Sequence, residues 1–318
     1  MTQTLIIGAG SIGISLGASL HSQDMNVTFL AREQTKKAIN EQGIRRTGLF
    51  GEISVPAGEV TAIADLSGLA GRAIDYALIC TKTLSNADVA AMLAAHREIL
   101  SENGKIVILQ NGWGNDTPFR SYFSEDRIYQ ARVITGFART APNVSNITVH
   151  TAPILFGSLY GRNTDCMEPL ARAIDASGIP SETTSVLSEA LWAKMLYNTT
   201  LNPLGAILRV PYGKLAESDS SRAIMDRLID ETFLVMEHCG YRSFWETPDA
   251  YRAEFYGKLI PDTYAHRSST LQDIEKKQKT EIDTLNGCIV HLAREHDLKV
   301  PTHQMICELI AALEENYK

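Results

Sequence analysis

The sequence predicts a two-domain protein: an α/β domain built on a parallel sheet, followed by an all-helical domain. Three observations carry that reading. The chain has 318 residues, and at roughly 100–200 residues per domain this favours two domains over one. The first half alternates short apolar runs with helix-like segments, the pattern of β-α-β units. From about Ser185 the helical period takes over, and no convincing strand interrupts it.

In order along the chain, residues 4–7 read as a strand, 13–22 as a helix and 26–30 as a second strand. Residues 73–80 form a third strand, with a helix-like stretch at 87–100 behind it. Residues 105–109 are another strand, ending in the turn Gln110-Asn111-Gly112. The apolar stretch 147–157 is strand-like and comes late in this half. Helices are expected at 188–201, 220–239, 248–259, 264–277, 280–296 and 302–315. Gly178-Ile179-Pro180 and the polar residues after it suit a linker, so the domains are expected at 1–184 and 185–318.

Apolar residues make up 44% and charged residues 21%, which excludes a disordered chain, a collagen-like fibre and a coiled-coil rod. The formal net charge of −7 is a poor match for nucleic acid or an anionic membrane surface, and neither partner is expected. Cys80, Cys166, Cys239, Cys288 and Cys307 are odd in number and show no C-x-x-C spacing. That argues against a disulfide framework and against a thiolate metal site. The first apolar run follows no basic segment, and no run of about 20 apolar residues exists, so a cytoplasmic protein is expected.

Gly8-Ala9-Gly10-Ser11-Ile12-Gly13 fits G-x-G-x-x-G, between a strand and a helix. In a dinucleotide-binding loop the first glycine makes the tight turn. The second lets backbone approach a pyrophosphate, and the third lets helix and strand pack closely. The helix N-terminus then offers free N–H groups to the phosphates. A glycine turn without a ligand is the plain alternative. At the end of the second strand, where an NAD enzyme usually carries an acid, this chain has Ala31 and then Arg32. Arg32 suits a ribose 2′-phosphate and favours NADP(H), with Glu33 as an opposing charge. A solvated surface arginine is the alternative.

Ligands of open α/β sheets bind beyond the carboxyl ends of the strands, where Lys82 and Asn111 fall. In the helical half, Lys194, Asn198 and Asn202 recur every four residues and share one helix face. Pro203 is expected to kink or end that helix. Periodicity alone leaves open a partly exposed face with incidental amides. Thr280 reads as an N-cap with Glu281 in the first turn, where an acid also complements the helix dipole.

Assembled, these residues resemble the ketopantoate reductase family over nearly the whole chain. The matching pieces are Gly8–Gly13 with Arg32, Thr81-Lys82, Gln110-Asn111-Gly112, and Leu191-Trp192-Ala193-Lys194 with Asn198 and Asn202-Pro203-Leu204. Ser269 with Leu271-Gln272-Asp273, and Thr280-Glu281-Ile282-Asp283 with Asn286-Gly287, complete the set. The resemblance implies a Rossmann domain followed by a helical domain like that of 6-phosphogluconate dehydrogenase. It implies NADPH-dependent reduction of 2-dehydropantoate to pantoate, a step toward pantothenate and coenzyme A. It casts Lys194 as the catalytic acid and Glu281 as its acidic partner. Asn198, Asn202 and Ser269 become substrate-binding groups, and Asn111 and Lys82 lie near the nicotinamide and the reacting carbonyl. Two positions depart from the family's usual pattern. His266, three residues before Ser269, stands where Asn is common, and Trp113 stands where a smaller residue is common. Both bear on which keto acid is used; His266 remains a candidate substrate-binding donor. The rival readings are a reductase of another 2-keto acid and a non-catalytic NADPH-binding sensor. A small-molecule partner is expected in either enzyme reading, and a homodimer is the assembly to test.

Overall fold

The computed structural model describes residues 1–317. Two compact units divide the chain: Met1–Gln110 with Asn115–Leu187, and Asn111–Gly114 with the residues from Ser188 onward.

The first unit holds an eight-stranded sheet. Its strands are β1 (Gln3–Ile7), β2 (Asn26–Leu30), β5 (Thr61–Ile63), β6 (Ile74–Ile79), β7 (Leu100–Ile108), β8 (Ile128–Arg132), β11 (Ile154–Gly157) and β12 (Ser181–Thr183). They lie in the order β5-β2-β1-β6-β7-β8-β11-β12. The pairings from β5 to β8 are parallel, and β11 runs antiparallel to β8. From β1 the chain builds outward through β2 and β5, then crosses to β6, so the topological switch point lies between β1 and β6. Both faces of the central strands are buried. Ile6 joins the core under α1 (Ser11–His21), while Leu5 and Ile7 join the opposite core with Val89 and Leu93 of α3 (Asn86–Ala95). This explains the near-continuous apolar runs of these strands.

Helix α2 (Glu33–Gln42) and the short α4 (Thr117–Arg120) lie in the same unit, and α5 (Glu168–Ala176) precedes β12. A second sheet of four strands, ordered β4-β3-β10-β9, packs on α1. It comprises β3 (Ile44–Gly48), β4 (Ile53–Val55), β9 (Thr135–Ala141) and β10 (Val144–His150). The buried Arg46 of β3 ties this sheet down. Its guanidinium donates to Ser19 Oγ at 2.7 Å, Phe50 O at 2.9 Å, and Ser177 Oγ and O at 3.1 and 2.9 Å.

Two expectations are corrected here. The stretch 147–157 is two strands in different sheets, broken before Ile154 by Pro153, which has no N–H for a ladder. The polar segment taken as a linker contains β12, which pairs in parallel with β11, and the division falls after Leu187.

The second unit is helical. Its elements are α6 (Leu187–Leu208), α7 (Tyr212–Ala216), α8 (Asp219–His238), α9 (Pro248–Glu254), α10 (Ile260–Asp262), α11 (Ser269–Glu275), α12 (Asn286–Glu295) and α13 (Pro301–Glu315). Helix α6 does not end at Pro203 but runs past it to Leu208. Proline cannot donate to the carbonyl four residues back, so Thr199 O needs another partner. The fully buried Asn286 supplies it, donating Nδ2 to Thr199 O at 2.9 Å. The same amide lies 3.0 Å from Nδ1 of the buried His303, whose Nε2 reaches Leu228 O at 3.0 Å. Burial pulls the His303 pKa down to about 4, so the neutral ring accepts at Nδ1 and donates from Nε2. One polar chain thus joins α6, α12, α13 and α8.

The expected helices 264–277 and 280–296 are also interrupted. Ser268 caps α11 by accepting from Leu271 N at 3.0 Å, so the helix starts at Ser269. Thr280 and Glu281 precede a single 3-10 turn, and Leu285, at φ −103° and ψ −102°, breaks the path before α12. Glu281 is therefore not in the first turn of a helix, and the dipole role does not apply to it.

Candidate active site

In the first unit, the three glycines of the Gly8–Gly13 loop answer to three different constraints. Gly8 has φ +102°, and a Cβ there would meet Thr81 N at 2.7 Å. Gly13 abuts the loop itself, since its Cβ would lie 2.3 Å from Gly8 O. Gly10 is different: its φ is −82°, and a Cβ would meet nothing within 4 Å. Neither backbone conformation nor protein packing demands glycine there, whereas close approach by a ligand does. Ala9, Ser11 and Ile12 complete the loop, and Ser11 O is held by Ser145 Oγ at 2.7 Å. The first turn of α1 carries no acid and no side-chain cap, so its N–H groups suit a pyrophosphate. These features fit a dinucleotide.

Arg32 immediately precedes α2, is exposed, and forms no ion pair among the described residues. Glu33 pairs with Lys36 at 3.2 Å. Lys82 is exposed at the end of β6. Beneath it, Gln110 and Asn86 exchange amide bonds at 2.7 and 2.8 Å, and Gln110 Nε2 also donates to Thr81 O at 2.7 Å. This buried pair fixes the ends of β6 and β7; Gln110 belonged to the turn read from sequence, whereas Asn86 was not singled out. Burial pushes the neighbouring Cys80 thiol up to about 12, so it is no nucleophile.

In the second unit, Lys194 Nζ donates to Asn111 Oδ1 at 2.6 Å. The residues are 83 positions apart, and the turn 111–114 brings them together by docking on the helices. Trp113 N donates to Thr284 O at 3.0 Å. The Trp113 ring sits 5.0 Å from Trp192 and 4.9 Å from Tyr241. Gly112, at φ +97°, would place a Cβ 2.4 Å from Thr284 O. The departure at Trp113 is thus an anchor within the helical core. Thr284 in turn donates its N–H to Glu281 O at 3.2 Å, so Glu281 and the Asn111 turn share one piece of scaffold.

Asn198 lies one turn along α6 from Lys194, is 9% exposed, and among the described residues has no hydrogen bond to its amide. Asn202 follows, with Oδ1 accepting from Tyr212 Oη at 2.5 Å, so one of its polar atoms serves the fold. The half-buried His266 ring lies 5.0 Å from Tyr212, and burial lowers its pKa, keeping it neutral near pH 7. Ser269 is exposed; its neighbour Ser268 is buried and donates Oγ to Asn202 O at 2.9 Å. Ser268 was missed from sequence, although its N-cap position was the available signal. No group of side chains suited to a metal ion occurs among the described residues. No described helix is long and apolar enough to cross a membrane.

Profiles of the ketopantoate reductase family, PanE/ApbA, match residues 4–161, and the profile of its C-terminal domain matches 187–314. A 2-dehydropantoate 2-reductase of Aquifex aeolicus is 33% identical over 311 residues, covering 98% of this chain and 96% of that protein. A PanE/ApbA family ketopantoate reductase from Ralstonia eutropha superposes with a TM-score of 0.86 at 26% identity, covering 99% of each chain. D-mandelate dehydrogenase, solved with NADH and anilino(oxo)acetate, shares the fold at TM-score 0.86 and 19% identity over 99% of each chain. The glycine loop, the Lys194–Asn111 pair and these matches together lead to one assignment: the chain belongs to the ketopantoate reductase family.

Proposed function

We propose that the protein reduces 2-dehydropantoate to pantoate with NADPH, supplying the pantothenate and coenzyme A route. The observation that carries the reading is the Lys194 ammonium held on Asn111 in a member of this family. When bound, the reduced nicotinamide supplies the hydride. As the keto carbon is reduced, negative charge grows on its oxygen, and a cation placed there lowers the barrier most in the transition state. Lys194 donates a hydrogen bond to that oxygen and then a proton. Asn111 orients the ammonium, so little freedom is lost when it engages. The amide of Asn198, without a hydrogen-bond partner among the described residues, is suited to the substrate, with Asn202, Ser269 and His266 as further donors and Glu281 as the acceptor for a substrate hydroxyl. Gly8–Gly13 would hold the pyrophosphate, Arg32 the 2′-phosphate, and Lys82 the nicotinamide side. The odd number and scattered spacing of the cysteines support work in the reducing cytoplasm, and a homodimer is the assembly to look for by sedimentation.

A second reading, reduction of another 2-keto acid, is favoured by His266, a larger and aromatic group where the family usually has an amide. NADPH oxidation followed with 2-dehydropantoate, pyruvate, 2-oxoisovalerate and benzoylformate separates the readings by kcat/KM. The first requires 2-dehydropantoate to be best, and no turnover with any keto acid would point to a sensor. Lys194→Ala should lower kcat by about 10²- to 10⁴-fold. A folded Lys194→Ala protein with near-normal turnover would remove Lys194 from the chemistry.

A further inference from the structure

Beside the start of α2, a cavity of about 340 Å³ is lined by Arg32, Thr35, Arg139 and Pro142, among others. Arg139 comes from β9, in the four-stranded sheet, and reaches this cavity from a distant part of the sequence. Its guanidinium is held by the protein on one side only. Nη2 donates to Thr35 Oγ1 and to Pro142 O, both at 2.7 Å, and Nε donates to Ala141 O at 3.3 Å. Among the described residues, no protein group takes up Nη1, and no hydrogen bond or ion pair takes up Arg32. Among the described residues neither arginine has a carboxylate partner, since Glu33 is engaged with Lys36. Two cations therefore line one cavity with no internal counter-charge. Burial and the nearby Arg32 charge both push the Arg139 pKa down, as expected where like charges lack an anion between them.

We propose that Arg139 is a specificity-determining residue, completing with Arg32 a two-arginine clamp for the 2′-phosphate of the cofactor. The inference rests on the NADPH reading above and deepens it. A phosphate monoester carries nearly two negative charges and three acceptor oxygens, and one guanidinium satisfies only part of that. Arg139 brings a pre-oriented donor, since Thr35, Ala141 and Pro142 hold Nε and Nη2 and leave Nη1 for the phosphate. The first turn of α2, which carries Gln34 and Thr35, adds a favourable dipole to the same cavity. Free phosphate shares this chemistry, so the probe must separate the phosphate from the nucleoside that carries it.

The test is calorimetric binding, on the intact protein, of NADPH, NADH, 2′,5′-ADP, 5′-AMP and inorganic phosphate. For wild type, NADPH and 2′,5′-ADP should bind much more tightly than NADH and 5′-AMP. Arg139→Ala should weaken NADPH and 2′,5′-ADP by about 10- to 150-fold while leaving NADH and 5′-AMP within about twofold. Arg139→Lys should recover part of the loss, because charge returns without the fixed planar donor. It also serves as the readable variant if the alanine protein does not fold. Inorganic phosphate that binds as tightly as 2′,5′-ADP would overturn the cofactor assignment in favour of a simple anion site. Equal losses for 2′,5′-ADP and 5′-AMP, or no loss for either, would overturn the clamp. If wild type does not distinguish NADPH from NADH, the cofactor reading itself has failed; if it does and Arg139→Ala keeps the ratio, only the clamp has.

Discussion

Truncating Trp113 offers a sharp test of how Asn111 is delivered to Lys194. In Trp113→Ala the backbone bond to Thr284 O remains available, but both ring contacts, to Trp192 at 5.0 Å and Tyr241 at 4.9 Å, are lost. Each aromatic pair contributes about 0.5–1.5 kcal/mol beyond simple burial, so docking of the turn should weaken by about 1–3 kcal/mol. If turnover requires the docked turn, kcat should fall by about 5- to 150-fold. Trp113→Phe should restore much of it. The assay is steady-state turnover beside a thermal melt and direct NADPH titration, with kcat expected to fall more than NADPH affinity. A double-mutant cycle gives the decisive reading. Once Asn111→Ala has removed the bond to Lys194, adding Trp113→Ala should cost kcat little more, because the anchor acts through Asn111. Fully additive losses, or a lowered melting temperature with unchanged kcat, would refute the anchoring argument.

Two further outcomes follow from the geometry. Gly10→Ala should melt within a degree or two of wild type, because its Cβ meets no protein atom, yet it should bind NADPH poorly. Normal binding by this variant, measured by fluorescence titration, would remove the pyrophosphate from the loop. His303 should make the protein sensitive to acid. Its folded pKa is about 4, against roughly 6.5 unfolded, so the contribution is complete above pH 6.5 and is lost as pH falls toward 4. The loss should approach about 3 kcal/mol, read as denaturant midpoints across that window, and His303→Gln should flatten the slope.

The central strands were legible because both their faces are buried, so β1, β2, β6 and the end of β7 appear as apolar runs bounded by turns. The four-stranded sheet was not. Its strands include Ile44-Arg45-Arg46-Thr47-Gly48, and β3 pairs with β10 about 100 residues away, which no local pattern records. Helix α2 buries only Thr35 and Ile39, so its apolar stripe is too thin to stand out. The continuous apolar stretch across Pro153 concealed a change of sheet. Within the candidate site, the four-residue spacing of Lys194, Asn198 and Asn202 was readable because a helix turns that period into a face. The meeting of Lys194 with Asn111, and of Arg32 with Arg139, depends on distant segments folding together. Pro203 did contain a hidden clue, since the carbonyl it leaves unpaired at Thr199 calls for a donor such as Asn286.

The assignment of Asn111–Gly114 to the helical unit bears on the order in which the protein is made. Trp113 leaves the ribosome about 80 residues before Trp192, and Tyr241 comes later still. At about 5–20 residues per second, the sheet can pair β6 with β7 several seconds before that tryptophan has a surface to rest on. During this interval the ring lacks both of the aromatic partners it has in the folded protein. Synthesis of the helical half is then also the step that brings Asn111 to Lys194. A fragment starting at Ser188 would lack the Trp113 ring that packs on Trp192 and Tyr241. Exchanging either unit for a relative's therefore means carrying the four-residue turn with the helices.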